Sequence, residues 1–446
     1  MKYNHRGYKK LSALREKIAF VALALVMGGA SQVSAQTVTL DSNSTLEDYL
    51  RFAAKNNPAT LSAGYRYESA HAGVSAAGAL PNPRISYSHF LESVETRVGP
   101  QRRKLSISQT IPWFGSLGAQ GVAAEANAEA LNATRSDIWN NIEVKIRHLY
   151  FEIYFQNQLA EIIAEHLSLL GALESVGQRK YSVGQISQSK LLSLQMERAR
   201  LADEEITVGE NINRLSAGLN ATLNRPLSET IYLNTTPDTI DVLDTEQNLR
   251  IKLMNQNPLL SRANSLHEMA KAKESWAGKR SLPSFTFGFD YIDIDEAVMP
   301  GVTESGKDAY AVRIGMSLPL WFGKNSSRTR SARAFKEAAR ESVVKVEREL
   351  DQRLSELRFE VKEALRKSKL YKSSLIPLAR QSMFLIKKSF ETGDVDFRHL
   401  IDSQRELLDY QSQYHRQIAN YNQYLARLNA LLGKSSIDED WSALEK

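Results

Sequence analysis

The sequence predicts an α+β membrane protein. Each chain would supply four β-strands to a shared transmembrane β-barrel and two very long helical hairpins to an α-helical barrel that continues it. Three observations carry this expectation. Short motifs recur in the same order about 200 residues apart, each copy holds two segments of period-two patterning, and each copy then runs some 65 residues almost without proline.

The repeat is the organising feature. Asn57-Pro58 returns as Asn257-Pro258, and the prolines around Leu80-Pro81 return at Leu282-Pro283. Trp113-Phe114-Gly115 returns as Trp321-Phe322-Gly323, an offset of 208. Tyr181-Ser182-Val183-Gly184 matches Phe390-Glu391-Thr392-Gly393, and Leu219-Asn220-Ala221 matches Leu428-Asn429-Ala430, both at 209. The offset grows only between the proline and tryptophan pairs, so the second copy holds a longer loop there. The expected division is a first structural repeat over 36–230 and a second over 231–446.

Within each copy a short helix, Leu46–Asn56 or Glu246–Asn255, is ended by an Asn-Pro step, and a second helix follows. Strands are expected at about 84–92 and 104–111, then at 284–293 and 309–318. Phe285, Phe287, Phe289 and Tyr291 alternate with Thr286, Gly288 and Asp290, and Val312 and Ile314 alternate with Arg313 and Gly315. Helical hairpins are expected over about 115–223 and 323–432, with Pro377 the one proline on the outgoing stretches. At ~1.5 Å per residue, each outgoing stretch spans roughly 100 Å. Ser187 and Asp396 are the expected N-caps of the returning helices.

The first 35 residues predict a cleavable signal peptide: a basic stretch (Lys2, Arg6, Lys9, Lys10, Arg15, Lys17), an apolar run from Ile18 to Met27, then Val33-Ser34-Ala35. That run is too short for a lasting membrane helix. The segment holds most of the chain's formal net charge of +6, so the basic balance gives no support to a nucleic-acid partner. There is no cysteine, which excludes disulfides, a lipidated N-terminal cysteine and thiolate metal sites. No later stretch has the ~20 apolar residues of a membrane helix, so a membrane crossing must be a barrel.

Four strands cannot close a barrel alone, because two open edges would lie in lipid. Three chains would give twelve strands, an even number. The aromatic face would meet lipid, while the serines, Asp290 and Arg313 would face water. Trp113, Phe114, Trp321 and Phe322 are the candidate membrane-interface aromatics, standing where strand becomes helix; the alternative is that each Trp packs a turn.

The turns Tyr181 to Gln185 and Phe390 to Asp394, the proline-flanked strand pairs and the Leu-Asn-Ala ends resemble the TolC family of outer-membrane efflux proteins, over nearly all of the chain after the leader. The string Gln109-x-x-Pro112-Trp113-Phe114-Gly115 resembles heavy-metal efflux members. The resemblance implies a homotrimer in the outer membrane of a Gram-negative bacterium, extending into the periplasm. It also implies a periplasmic adaptor and an inner-membrane pump, of the RND type, as partners. Its cargo would be metal cations or small toxic compounds.

Carried over by position, the adaptor-contact tips are Tyr181, Val183, Gly184, Gln185, Phe390, Thr392, Gly393 and Asp394. The family's entrance acids fall at His399 and Asp402; Asp402 keeps the acid and His399 departs from it. With Lys190 and Ser193 these form the candidate entrance constriction. A ring of Asp402 carboxylates would attract cations, and His399 would make the entrance pH-sensitive. Gly184 and Gly393 also read as helix C-cap glycines, and His399 and Asp402 as solvated helix residues.

No catalytic residue, cofactor or metal site is expected. There is no His-Glu-x-x-His, triad or phosphate loop, and Ser187-Gln188-Ser189-Lys190 lacks the partner motifs of an S-x-x-K enzyme. The eight histidines and the methionines are scattered. The competing reading is a periplasmic coiled-coil adaptor or scaffold, which leaves the Phe285/Phe287/Phe289 stripe unexplained.

Overall fold

The structure, a computed structural model, describes residues 40–235, 237, 244–392, 395 and 397–434, with the backbone alone at 391 and 397. The expected signal peptide, Gly393, Asp394 and Asp396 lie outside the described residues.

Two similar halves follow one another. The first runs α1 (Leu46–Asn56), α2 (Pro58–Gly78), β1 (Arg84–Thr96), β2 (Gly99–Ile111), α3 (Ser116–Ser182) and α4 (Gln188–Leu223). The second runs α5 (Glu246–Gln256), α6 (Pro258–Lys279), β3 (Ser284–Ile294), β4 (Ala309–Ser317), α7 (Phe322–Leu370), α8 (Ile376–Thr392) and α9 (Phe397–Leu431). Between α7 and α8 lies one π turn, Tyr371–Leu375, where the Ile376 N–H donates to the Tyr371 carbonyl five residues back. Pro377 explains it. Its ring would clash with the carbonyl four residues earlier, and a wider turn makes room without ending the helix.

The same asparagine joins each half together. Asn57 caps α2, its side-chain oxygen accepting from the N–H of Ala59 (2.8 Å) and Thr60 (3.3 Å). Its amide donates to the Thr222 carbonyl at the end of α4, at 2.8 Å. Asn257 repeats both roles, accepting from Leu259 (2.9 Å) and Leu260 (3.1 Å) and donating to Leu431 O (2.8 Å). Proline follows each, in the first helical position, where a missing N–H costs nothing. Only a side chain with both acceptor and donor can cap one helix start and satisfy another helix end.

The four strands form an antiparallel meander, β1-β2-β3-β4. The register puts Ile85 beside Ile107, Ile107 beside Phe289 and Phe289 beside Val312, so one face is apolar across the whole sheet. Ser86, Ser106, Asp290 and Ala311 share a row on the other face. The apolar face is open: Ile85, Tyr87, Leu105, Ile107, Phe287, Phe289, Val312 and Ile314 are all exposed. β1 and β2 extend beyond the expected limits of 92 and 104, pairing up to Thr96 and Gly99 across an irregular stretch between His89 and Val94. The charged residues Glu92, Glu95, Arg102 and Arg103 suggest a loop only if strands end where lipid ends. Gly99 is obligatory there, since a Cβ would come 1.8 Å from the Asp295 carbonyl oxygen.

The core lies in the helical part. Trp139, Ile146, Tyr150 and Ile153 of α3 pack on Leu46, Tyr49 and Leu50 of α1 and on Leu215 and Leu219 of α4. The hydroxyls of Tyr49 and Tyr150 accept from the N–H of Tyr232 (2.8 Å) and Thr235 (3.0 Å), which straps the inter-repeat segment onto this cluster. A second cluster joins Leu249 and Leu253 of α5 to Leu350, Leu354, Tyr421 and Leu428. A third, nearer the turns, holds Ile163, Leu170, Leu194, Leu201, Met383 and Leu400.

Neighbouring helices are ordered α2-α3-α6-α7 beside the sheet and α4-α3-α9 followed by α7 and α8 beyond it. The long outgoing helix of the first repeat is flanked on both sides. Its counterpart α7 has a neighbour on one side near the sheet, and Phe322, Phe335 and Val344 are exposed.

Asn257→Ala removes a cap and strands a buried carbonyl, so it is expected to cost about 2 kcal/mol. Chemical unfolding in detergent measures this; stability equal to wild type would show that the asparagine tie does not hold the half together.

Candidate functional site

Three groups of residues stand out: the helical turns, the groove between the returning helices and the strand-to-helix junction. At the first turn α3 ends in a Schellman arrangement. Gly184 lies at φ +77°, its N–H donating to Tyr181 O (2.9 Å) while the Gln185 N–H donates to Lys180 O (2.8 Å). This leaves Tyr181, Val183 and Gln185 in solvent, with Val183 68% exposed. Ser187 occupies the cap position of α4 without capping through its side chain; its Oγ lies 2.9 Å from Ser189 Oγ instead.

The second arm differs. Phe390, expected as a contact residue, is only 4% exposed and belongs to the third core cluster. Lys180 sits over its ring, 4.8 Å from the centroid, and donates to its carbonyl at 2.8 Å. Phe390 therefore ties the two arms together rather than presenting itself. Thr392 is exposed, its hydroxyl donating back to Ser389 O at 3.0 Å.

Lys190 and Ser193 of α4 and Asp402 of α9 line one groove, together with Met196, Glu197, Arg200, Arg398 and Arg405. His399 is exposed but is not among the lining residues. The centre of the groove is a group that sequence pattern did not reveal. The Glu197 carboxylate, 3% exposed, accepts from Arg405 Nε of α9 (3.0 Å) and from Arg200 Nη2 of its own helix (3.0 Å). The Arg405 hydrogen bonds, helped by Arg200, hold its pKa down at about 2 against the burial that opposes them. An i,i+3 pair at 197 and 200 was visible in the sequence; that Arg405, 208 residues on, completes it was not.

A buried polar seam joins α3 to α9 above this groove. Gln404 Nε2 donates to His166 Nδ1 and His166 Nε2 donates to Gln411 Oε1, both at 2.8 Å. Burial lowers the His166 pKa, which suits this neutral tautomer. Further along, Arg416 donates to Glu152 at 2.7 Å and lies over the Phe155 ring. Among the described residues no group of three or more His, Asp or Glu could hold a metal ion.

At the junction Gly115 turns the chain at φ +71°, with Lys279 Nζ donating to its carbonyl at 3.1 Å. Trp113 stacks on Phe285, centroids 6.2 Å apart, and so packs the turn. Phe114, Trp321 and Phe322 project outward, each at least 76% exposed. No described helix is long and apolar enough to cross a membrane.

Residues 249–434, the second repeat from α5 onward, match the family model described as outer membrane efflux protein. The second half of the chain is thus similar to this family. The chain is 19% identical to the cobalt-zinc-cadmium resistance protein CzcC of Cupriavidus metallidurans, over 87% of its own length and 90% of the relative's. Its fold is similar to that of the outer membrane protein VceC of Vibrio cholerae (TM-score 0.73, 16% identity), covering 87% of this chain and 96% of that one. It is also similar to CusC, whose crystal structures concern transmembrane channel formation (TM-score 0.76, 12% identity), over 92% and 96%. These structural matches take in the first repeat, which lies outside the matched family region. None supports the adaptor reading.

Glu197 makes stability pH-dependent. Its folded pKa is below its unfolded value of about 4.5, so the contribution is complete above that value and is lost as pH falls toward 2. Glu197→Gln is expected to flatten thermal stability between pH 5 and 3 relative to wild type. Parallel acid profiles for the two proteins would show that the cluster is not coupled to folding.

Proposed function

We propose that the chain is one protomer of a trimeric outer-membrane channel, in which twelve strands close a barrel and the helical hairpins form a periplasmic conduit. It passively conducts exported solutes delivered by a periplasmic adaptor and an inner-membrane pump of the RND type. The observation that carries this reading is the coincidence of open flanks. β1 and β4 are the unpaired edges of the sheet, and α2 and α7 are the outer members of the helix row beside it. Copies placed in a ring would pair β4 with the next β1 and seat α7 against the next α2 in one operation. Within the chain the same kind of junction already exists, where α3 packs on α6 through Ala123, Leu266, Met269 and Ala272.

The apolar face of the sheet then meets lipid, with Phe114, Trp321 and Phe322 at the membrane boundary. Tyr181, Val183 and Gln185 at the first turn, and Thr392, Gly393 and Asp394 at the second, are the adaptor contacts. The groove holding Lys190, Ser193 and Asp402 forms the entrance, with Glu197 and Arg405 fixing α4 to α9 behind it. The resistance function in the CzcC name makes metal ions one candidate cargo and small toxic compounds the other.

Native mass spectrometry of protein extracted from outer membranes should give three chains, and planar bilayers should show discrete conductance steps. A monodisperse monomer that gave no steps would overturn the channel reading.

A further inference from the structure

We propose that a belt on the polar face of the regular part of the sheet favours anions over cations, and that Arg84, Lys104 and Arg313 set this preference. The inference rests on the channel reading and deepens it. In the regular part of the sheet the register places four charges on the polar face. Arg84, Ser108, Gly288 and Arg313 share one row, and Lys104 and Asp290 stand in the rows beyond it. Three cations face a single carboxylate, so each chain brings a net charge of about +2 to this belt, counted by sign alone.

Asp290 is neutralised where it stands. Its carboxylate lies 3.2 Å from Lys104 Nζ and 3.4 Å from Arg313 Nη2, and its side chain is 7% exposed. The cations remain in water, Arg313 at 51% and Lys104 at 30%. Arg313 lies across Gly288, where a Cβ would come within 3.3 Å of the guanidinium and oblige it to shift slightly. Arg84, exposed on the edge strand β1, makes no ion pair with any described residue. The other residues of that face carry no charge: Ser86, Ser88, Ser106, Ser108, Thr110 and Thr286 add hydroxyls, and Ile292, Ala309 and Ala311 are apolar. Nearer the strand tips the sign reverses: Glu92, Glu95, Asp293, Asp295, Glu296, Glu304 and Asp308 outnumber Arg97, Arg102, Arg103 and Lys307, with Arg102 paired to Asp293 and Asp295 and Lys307 to Glu304, so the positive belt is confined to the regular part of the sheet.

The entrance groove has the same sign. Lys190, Arg200, Arg398 and Arg405 outnumber Glu197 and Asp402 there, so Asp402 does not stand as an isolated acid. In a closed ring the low-dielectric wall focuses the field of such a belt into the water it encloses. A metal ion would traverse it more readily as a neutral or anionic complex than bare.

Because the chain contains no cysteine, a single introduced thiol reports the local potential whether or not the entrance is open. Ser108→Cys places it in the row of Arg84 and Arg313. At low ionic strength an anionic thiosulfonate is expected to react faster than a cationic one, relative to their rates with a free thiol, by at least about fivefold, as for a potential near one kT. Adding Arg84→Ser should reduce the ratio, and adding Lys104→Ser and Arg313→Ser to that same variant should invert it, since Asp290 then stands alone. Equal reagent rates in the Ser108→Cys protein, or a ratio indifferent to these changes, would overturn the anion preference and leave the channel reading intact. A thiol at Ser108 sealed from both reagents, with Ile107→Cys on the other face reactive, would overturn the channel reading beneath it.

Discussion

Backbone hydrogen bonding at two strand edges constrains everything else in this molecule. β1 and β4 each pair on one side only, and their outer N–H and C=O groups have no partner within the sheet. In water that edge is a hazard; in hydrocarbon each unsatisfied group costs several kcal/mol, so an open edge cannot persist. The sheet's exposed face of Ile85, Tyr87, Phe287, Phe289, Val312 and Ile314 belongs in hydrocarbon. Edge and face together support the proposed ring of copies. The helical part points the same way, since α7 is lined on one flank only where α3 is lined on two.

The twin asparagines explain how one design serves both halves. Each sits where a short helix turns into the helix leading to the strands, and each reaches the end of the returning helix of its own half. The strand pair and the hairpin of each repeat are thereby fixed to one point. Divergence is then tolerated elsewhere. The second repeat has the longer strand-connecting loop and a proline within its outgoing helix, absorbed by a single π turn.

What could be read in the sequence was what repeats or alternates. Phe285, Phe287 and Phe289 betray a strand face because the pleat has period two, and the Asn-Pro steps mark helix boundaries through backbone sterics. The family match at 249–434 agrees with the resemblance in the turns and the Leu-Asn-Ala ends. The site was less legible. Glu197, Arg200 and Arg405 form one cluster from two helices, and no local pattern encodes which distant residue faces a given turn. Phe390 shows the same limit from the other side. Its alignment with Tyr181 suggests an exposed tip residue, but the second arm is packed beneath Lys180, so equivalent positions differ in burial. Strands β1 and β2 outran their expected limits because Glu92, Glu95 and Arg102 look like loop residues, although the backbone continues to pair up to Thr96 and Gly99.

The polar seam between α3 and α9 has its own logic. Long helices packed through leucine and alanine alone match nearly as well after sliding by a turn, and a conduit built from them would have no fixed register. His166 with Gln404 and Gln411, and Glu152 with Arg416 and Gln423, match donor to acceptor at one alignment only. A slip of one turn would bury these groups without partners, at about 1–3 kcal/mol for each neutral group and more for the charged pair. The matched seam contributes little net stability over an apolar one, yet it widens the gap to every shifted arrangement. Arg405 follows Gln404 directly in α9, so the register fixed by His166 also sets the Glu197–Arg405 contact. Positioning that contact within hydrogen-bond distance, across a helix 35 residues long, requires such a fixed register.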